Sequence, residues 1–182
     1  MNAYEDLQAY EPQGIQERSL KRIFIDFLKR DGEKAFLREN LTGHFTASAI
    51  VLNDEQDSIL LLNHKKLKMW IQPGGHADGE DDLFAVAQRE LEEETGIQAP
   101  VSLFDGIFRI DRHIIPQLKE VPSHFHYDFC YLFKVSSNEI QKNEESTDLA
   151  WFLISEIEKH KLDQSIYEIV DLLKTENIVI SK

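Results

Sequence analysis

Residues 74–97, with the sequence GGHADGEDDLFAVAQRELEEETGI, decide the fold of this chain. Glycine is concentrated in the first six residues, and glycine adopts turns that a side chain would forbid. This part predicts a loop with turns at Gly74, Gly75 and Gly79. The part that follows is rich in glutamate and alanine, and its apolar side chains recur at helical spacing. It predicts a short acidic helix directly after the loop.

The predicted helix has clear signals at both ends. Asp81 or Asp82 can cap it near Leu83, because aspartate accepts hydrogen bonds from the free N–H groups of a first turn. Thr95 and Gly96 close it, because glycine readily takes the left-handed conformation that follows a last turn. The helix is therefore expected over about 13 residues.

Two glutamates of this helix are expected on the side that faces the protein. At about 100° per residue, the apolar side chains fill one arc that also contains Glu90 and Glu94. Glu93 lies at the edge of the arc, and Glu92 points the other way. Close carboxylates screened from water repel by about 4 kcal/mol at 4 Å and a dielectric near 20, which a divalent cation relieves. Arg89 can pair with a carboxylate and hold it in register.

Oxygen ligands of this kind favour Mg²⁺ and also suit Mn²⁺. The simpler alternative is a solvated acidic face, since exposed like-charge pairs on a helix cost only about 0.2–0.5 kcal/mol each. The position of the glutamates within the apolar arc favours the metal site.

The same stretch resembles the signature of the Nudix hydrolase family. Gly75 is followed, at the separations of that family, by an acidic residue and by the run RELEEETGI at residues 89–97. One position departs from the pattern, because Asp81 stands where the family has its first glutamate, with Glu80 beside it. The Pro-Gly-Gly-His sequence at residues 73–76 is typical of a subgroup of the family.

The resemblance implies a metal-dependent hydrolase that uses water to cleave the pyrophosphate of a nucleoside diphosphate linked to another group, such as a nucleotide, a sugar or a second nucleoside. It implies that the cation is Mg²⁺ or Mn²⁺. The implied metal ligands are Glu90, Glu93, Glu94 and the carbonyl of Gly74. The implied catalytic residues are Arg89, Glu90, Glu93 and, on a later loop, Glu144 or Glu145.

The pattern of strands with few helices predicts an α/β or α+β fold with a mixed sheet between helices. The resemblance implies the Nudix α/β/α sandwich. Strands are predicted over 43–52, 59–63, 101–110, 124–135 and 149–153, a loop over 111–123, and a last helix over 163–174.

Residues 1–42 are predicted to form a helical extension, and residues 43–182 the Nudix domain. A helix is expected over 19–30, ended by Asp31-Gly32, and a second short helix over 33–40. This arm is expected to pack against the main domain or against a second copy of the chain, which makes a homodimer possible.

Several histidines are candidates for substrate binding. His124 and His126 share one face of a strand by period two, and two histidines spaced in this way are candidates for zinc binding. No matching cysteine or third close histidine completes a tetrahedral set in the sequence. A polar lining of a substrate cleft, together with His113 and Arg112, is favoured instead, and an internal hydrogen-bond network is the alternative. His76 in the glycine loop can contact a phosphate.

The net charge of −13 argues against binding to nucleic acid polymers and agrees with a nucleotide that arrives as a metal complex. The N-terminal residues lack the plan of a secretory signal, and no long apolar run predicts a membrane span, so a cytoplasmic location is expected. Cys130 is the single cysteine, which excludes an intrachain disulfide.

Two other functions remain open from the sequence. The first is a catalytically silent module that keeps the fold and senses a nucleotide, which the departure at Asp81 favours. The second is isomerisation of isoprenoid diphosphates by a related fold, which needs a cysteine and a glutamate. Cys130 lies within an apolar strand, which argues against this second function.

Overall fold

The computed structural model describes residues 2–65, 68–118, 120–136, 140–141 and 146–179, apart from the side chains of residues 146 and 147. Its described helices are α1 (Ala3–Ala9), α2 (Gly14–Asp31), α3 (Leu83–Thr95) and α4 (Gln164–Thr175), with 3-10 helices at Gly32–Phe36 and Ile154–Lys159. Its described strands are β1 (Gly43–Leu52), β2 (Ser58–His64), β3 (Met69–Ile71), β4 (Gly74–His76), β5 (Val101–Ser102), β6 (Arg109–Ile115), β7 (His124–Lys134) and β8 (Ser146–Leu153).

The strands form a mixed sheet in the order β3-β2-β1-β7-β5, with β4 paired to β1, β6 to β7 and β8 to β2. The neighbours β1 and β7 run parallel. The Phe125 N–H donates to the Thr42 carbonyl at 3.5 Å at one end, and the Val135 N–H donates to the Leu52 carbonyl at 3.0 Å at the other. The other strand pairs are antiparallel: β1 with β2 and β4, β2 with β3 and β8, and β7 with β5 and β6. The predicted α+β class with a mixed sheet is confirmed.

The chain divides into two compact units. The first unit comprises Met1–Ser48, Gly74–Arg89 and Phe104–Tyr131, and the second comprises Ala49–Pro73, Glu90–Leu103 and Leu132–Lys182. The N-terminal helices thus belong to the first unit. The division of the chain at residue 42 stays a prediction. None of the described helices has the length and hydropathy that a membrane crossing requires.

The core of the first unit is aromatic. Helix α2 places Phe24 and Phe27 against the sheet, where the ring of Phe27 stacks on Tyr127 at 4.0 Å and that of Phe24 meets Phe129 edge-on at 5.3 Å. The helix ends where predicted, because Gly32 takes a positive φ of 55°. Burying such large rings supplies most of the hydrophobic stabilisation that an amphipathic helix needs to dock.

The second unit is built on the long pairing of β2 with β8, from Ser58↔Leu153 to His64↔Ser146. Helix α4 is capped by Asp163, whose side chain accepts a hydrogen bond from the Ser165 N–H at 3.0 Å. Helix α4 buries an apolar stripe made by Ile166, Ile169, Val170 and Leu173.

Three predictions of local structure were wrong. The strand predicted over 101–110 is interrupted between β5 and β6, where Gly106 has a φ of 83°. Residues 111–115, predicted as a loop, belong to β6, because they pair with β7 from Arg109↔Cys130 to Ile115↔His124. The short helix predicted over 33–40 is a 3-10 helix that ends at Phe36. Helix α1, which was not predicted, carries a capping box made by Asn2 and Glu5.

Candidate active site

The acidic helix α3 has the predicted ends. The carboxylate of Asp82 accepts a hydrogen bond from the Ala85 N–H at 3.1 Å and so caps the first turn. The carbonyl of Asp81 accepts instead from the Ala3 N–H at 2.9 Å. At the other end, Gly96 has a φ of 73° and donates its N–H to the Glu92 carbonyl at 2.8 Å.

The burial of the glutamates agrees with the predicted orientation of the helix. Glu94 is only 6% exposed, and Glu90 is half-buried. Glu93 and Glu92 are exposed, and the carboxylate of Glu92 accepts a hydrogen bond from Gln98 Nε2 at 2.8 Å. Placing a carboxylate in a protein interior is costly unless something compensates its charge. Glu94 is therefore the acidic side chain of this helix whose position depends most on compensation of its charge.

The glycines before the helix differ from the prediction in their role. Gly74 and Gly75 lie in strand β4, which pairs with β1 at Ser48↔Gly74 and Ala47↔Gly75, so the turns predicted at these two positions were wrong. A Cβ on Gly74 would stand 2.7 Å from the Ala47 carbonyl oxygen, so glycine is needed there for close approach of two backbones. Gly79 does make the predicted turn, with a φ of 93°.

The loop after β4 is fixed by contacts from both sides. Arg38 binds the carboxylate of Asp78 with two hydrogen bonds, one of them from Nε at 2.6 Å, and this cation holds the pKa of Asp78 below its usual value. The guanidinium of Arg89 donates to the His76 carbonyl at 3.3 Å. Arg89 thus connects α3 to β4, while its predicted pairing with a carboxylate stays a prediction.

Four histidines of the first unit form a cluster, which we call the histidine cluster: His44, His76, His124 and His126. The ring of His44 lies 5.0 Å from His76, 5.0 Å from His124 and 4.7 Å from His126. His113, paired with His126 across β6 and β7, lies at its margin, with ring centroids 5.5 Å apart. The four histidines predicted from the sequence, His76, His113, His124 and His126, therefore lie near one another. His44, which was not predicted, lies among them.

Arg112 does not join the histidine cluster. It pairs in register with Tyr127, so its side chain is on the opposite face of β6 from His113. Its guanidinium lies over the ring of Phe125, 4.2 Å from the centroid. The predicted grouping of Arg112 with the histidines is corrected by this alternation.

The prediction that no third histidine lies close to His124 and His126 was also wrong, because His44 lies beside both. His44 had not been identified because nothing in the sequence shows that β1 and β7 are neighbours. The available signal was its alternation with Thr46 and Ser48, a polar series within a strand whose ten residues are all buried. Their hydroxyls donate to the carboxylate of Asp128 on β7, at 2.7 and 2.6 Å.

Burial disfavours the charged form of three members of the histidine cluster, His44, His76 and His126. Desolvation, reinforced by the neighbouring imidazoles, lowers the pKa of His76 to about 4 and that of His126 to about 2. The pKa of His44 is also lowered, mainly by burial. At neutral pH these rings therefore carry no positive charge with which to attract a phosphate.

Two predicted catalytic candidates, Glu144 and Glu145, lie outside the described residues.

Comparison with known proteins identifies related chains. The NUDIX domain family matches residues 43–173. A candidate 8-oxo-dGTP diphosphatase from Bacillus subtilis (strain 168) is 40% identical over 63 residues, which are 35% of this chain and 42% of that protein. This chain therefore matches less than half the length of that relative.

Two further matches are longer. A probable DHNTP pyrophosphohydrolase from Lactococcus lactis subsp. cremoris (strain MG1363) is 28% identical over 125 residues, covering 65% of this chain and 69% of that protein. The crystal structure of a NUDIX family hydrolase from Clostridium perfringens superposes with a TM-score of 0.56 and 25% identity, covering 72% of this chain and 97% of the other.

Proposed function

The chain belongs to the NUDIX domain family, and from that premise we propose that it is a metal-dependent pyrophosphohydrolase. Its substrate is a nucleoside diphosphate linked to another group, and water is the attacking nucleophile. The observation that carries this proposal is Glu94, a carboxylate that is only 6% exposed on the inward side of α3. The relatives described as a diphosphatase and a pyrophosphohydrolase support the reaction type.

The residues of α3 suit a hard divalent cation. Glu90, Glu93 and Glu94 lie within little more than one turn of the same helix, and all three belong to the second unit. Their donors are oxygen atoms only, which match Mg²⁺ or Mn²⁺ better than softer metals. A cation bound here would supply positive charge to the diphosphate and make a nearby water more acidic. The contribution of the Gly74 carbonyl to this site stays a prediction.

The three carboxylates have different environments and therefore different proposed roles. Glu94 and the half-buried Glu90 would hold the cation, because a buried carboxylate gains most from a bound positive charge. Glu93 is exposed, so a water molecule can reach it and pass a proton to it. Arg89 donates a hydrogen bond to the His76 carbonyl and in this way orients Glu90, which follows it in the chain. Glu144 or Glu145 is the alternative base.

The charge of the chain supports a small nucleotide substrate. With a net charge of −13, the protein repels free polyphosphates unless cations accompany them, which fits a substrate that binds as its metal complex. Two relatives are named for the triphosphates 8-oxo-dGTP and DHNTP, so triphosphates belong among the compounds to be tested. A cytoplasmic location and a homodimer stay predictions.

The proposal is tested by incubating the purified chain with nucleoside diphosphates, nucleoside and pterin triphosphates, nucleotide sugars and dinucleotides. Each is assayed with Mg²⁺, with Mn²⁺ and with EDTA, and the products are separated by anion-exchange chromatography. We expect cleavage at the pyrophosphate of one class, releasing a mononucleotide or pyrophosphate, and its loss in EDTA. Turnover that persists in EDTA would contradict the metal requirement.

A silent panel would have a different meaning. If no compound is cleaved but one raises the midpoint of thermal unfolding, the chain binds a nucleotide without hydrolysing it. That result would replace the hydrolase by the nucleotide sensor that the departure at Asp81 already allows.

A further inference from the structure

The histidine cluster lies outside the acidic helix, and the imidazole rings of its four members have no role in the hydrolysis proposed above. Its members come from three strands of the first unit: His44 from β1, His76 from β4, and His124 with His126 from β7. The registered pair Thr46↔His76 places β4 beside β1, and β7 is the parallel neighbour of β1. Residues far apart in the sequence are thus gathered at one place in the unit.

The ring nitrogens of three of these residues are close enough to share one ion. His44, His124 and His126 each offer a nitrogen within 4.8 Å of those of the other two. Nitrogen ligands about 2.0–2.1 Å from a tetrahedral Zn²⁺ stand about 3.4 Å from one another. Side-chain rotations that move these nitrogens by about 1 Å would therefore bring them to the spacing of ligands around one ion.

Two of these histidines have a ring nitrogen that needs a partner. The Nε2 atoms of His44 and His126 are buried and make no hydrogen bond within the described part of the chain. His44 is 2% exposed. A buried polar atom without a partner costs free energy, and binding of an ion is one of the recognised ways in which such an atom is satisfied.

The tautomers of two histidines are set for metal binding. The Nδ1 atom of His44 lies 3.4 Å from the Asn40 carbonyl, and that of His124 lies 2.9 Å from the Pro122 carbonyl. A carbonyl can only accept, so in the neutral ring the proton is on Nδ1 and Nε2 presents its lone pair. Backbone carbonyls orient metal-ligating histidines in this way.

From this geometry we propose that His44, His124 and His126 form a binding site for a transition metal of the Zn²⁺ class, with His76 as the fourth ligand. The rings of His76 and His44 are 5.0 Å apart, and those of His76 and His126 are 5.1 Å apart. Imidazole ligands select zinc, copper or nickel over magnesium, which separates this site from the carboxylates of α3. The bound ion would tie β1, β4 and β7 together.

The alternative occupant of the histidine cluster is a phosphate group of the substrate. Phosphate binding by histidine draws on the positive charge of the protonated ring, whereas metal binding requires the neutral ring. In His44 the Nδ1 proton is engaged by the Asn40 carbonyl, so its buried Nε2 presents a lone pair and no proton that could be donated to a phosphate. The chemistry of the cluster therefore favours a cation.

The proposal is tested on the full chain after dialysis against a chelator. Zn²⁺ is added, and binding is followed by isothermal titration and by the zinc content retained after gel filtration. We expect one tightly held ion per chain. Both His126→Gln and His76→Gln remove a ligand and are expected to weaken binding, by about 100-fold or more in His126→Gln, whose nitrogen belongs to the closely spaced three, and by about tenfold in His76→Gln. Unchanged binding in His126→Gln would overturn the site.

Two matched controls separate this site from other sources of binding. His160→Gln changes an exposed histidine of the second unit and should leave zinc binding unchanged. Glu94→Gln removes the buried carboxylate of α3 and should also leave it unchanged, even if the hydrolase proposal fails. A loss of zinc binding in Glu94→Gln would place the ion at the glutamates instead.

A measurement on the unaltered chain covers the case in which a histidine variant does not fold. Co²⁺ is substituted for Zn²⁺, and its visible absorption and the X-ray absorption of the zinc-loaded protein are recorded. We expect the spectrum of a tetrahedral ion with imidazole nitrogens in its first shell. A first shell made of oxygen atoms, or no binding at all, would exclude the site.

Discussion

The hydroxyl of Ser48 on β1 donates a hydrogen bond of 2.6 Å to the carboxylate of Asp128 on β7. Thr46 donates to the other carboxylate oxygen at 2.7 Å, and the thiol of Cys130 donates at 3.2 Å. All four side chains are buried. A buried carboxylate is thus compensated by three donors, and it joins two parallel strands through their side chains.

We expect Asp128→Ala to destabilise the protein by about 2–4 kcal/mol, because it removes a charged acceptor and leaves buried donors unsatisfied. Urea denaturation at pH 7 measures the change. Asp105→Ala, at an exposed position in the loop before β6, is the matched control, and we expect it to stay within about 0.5 kcal/mol of the unaltered chain. Equal losses in the two variants would show that the network contributes nothing specific.

The two faces of α3 predict different effects on catalysis. Glu94→Gln keeps the shape of a buried side chain but removes its charge, so we expect kcat to fall by about 100-fold or more while KM changes little. Glu92→Gln makes the same chemical change on the exposed side of the helix, where Gln98 is the hydrogen-bond partner. We expect it to retain turnover within about twofold. Steady-state kinetics at saturating Mg²⁺ would contradict the proposal if the two variants behaved alike.

The sequence predicts the acidic helix well because its signals are local. Asp82, the apolar stripe and Gly96 act within a few residues of one another, and the helix ends where they indicate. The division of its glutamates into buried and exposed follows from the same 3.6-residue period. Helix α4 was predicted over 163–174 for the same reason, and in the structure Asp163 caps it.

The histidine cluster could not be predicted because it depends on which strands are neighbours. His44 and His124 meet only because β1 and β7 run side by side, a pairing between residues about 80 positions apart. Nothing local in the sequence encodes that pairing. The role of Gly74 was missed for a similar reason, since the close approach of Ala47 that requires glycine is also non-local. By contrast, the two-residue alternation that separates Arg112 from His113 is visible in the sequence.

Asp31, at the end of α2, stabilises the folded protein by an amount that is lost at low pH. Its carboxylate accepts hydrogen bonds from Arg30 and from Asn40 Nδ2, the latter at 2.6 Å, and the contact with Arg30 leads in lowering its pKa. A lowered folded-state pKa stabilises the protein above the unfolded value near 3.9. We expect Asp31→Asn to cost about 1–2 kcal/mol at pH 7, as hydrogen bonds to a charged group do. The cost should disappear as the pH falls through the folded-state pKa.

The control for this pH dependence is Asp26→Asn on the same helix. Asp26 is exposed and pairs with Arg22 at 3.7 Å. Exposed pairs of this kind contribute little, so we expect no comparable change between pH 7 and pH 3. Urea denaturation across this range compares both variants with the unaltered chain. A pH-independent cost in Asp31→Asn would show that the side chain acts by shape and not by charge.

Asp6 on α1 should show the opposite pH dependence. It is 4% exposed, and burial raises its pKa, while the hydroxyl of Tyr131 donates to its carboxylate at 3.3 Å and partly offsets this effect. A raised folded-state pKa stabilises the protein below the unfolded value near 3.9, and that stability is lost as the pH rises through the folded-state pKa. We therefore expect Asp6→Asn, which stays neutral, to be more stable than the unaltered chain at pH 7. This advantage should shrink as the pH falls towards 4, because Asp6 then becomes protonated as well.

Tyr131→Phe is the companion variant. It removes the donor that stabilises the charged carboxylate, so it should cost more at pH 7 than at pH 4. The midpoint of thermal unfolding of the three proteins is measured over this pH range. Midpoints that change with pH in parallel would show that the pKa of Asp6 is the same in the folded and unfolded states.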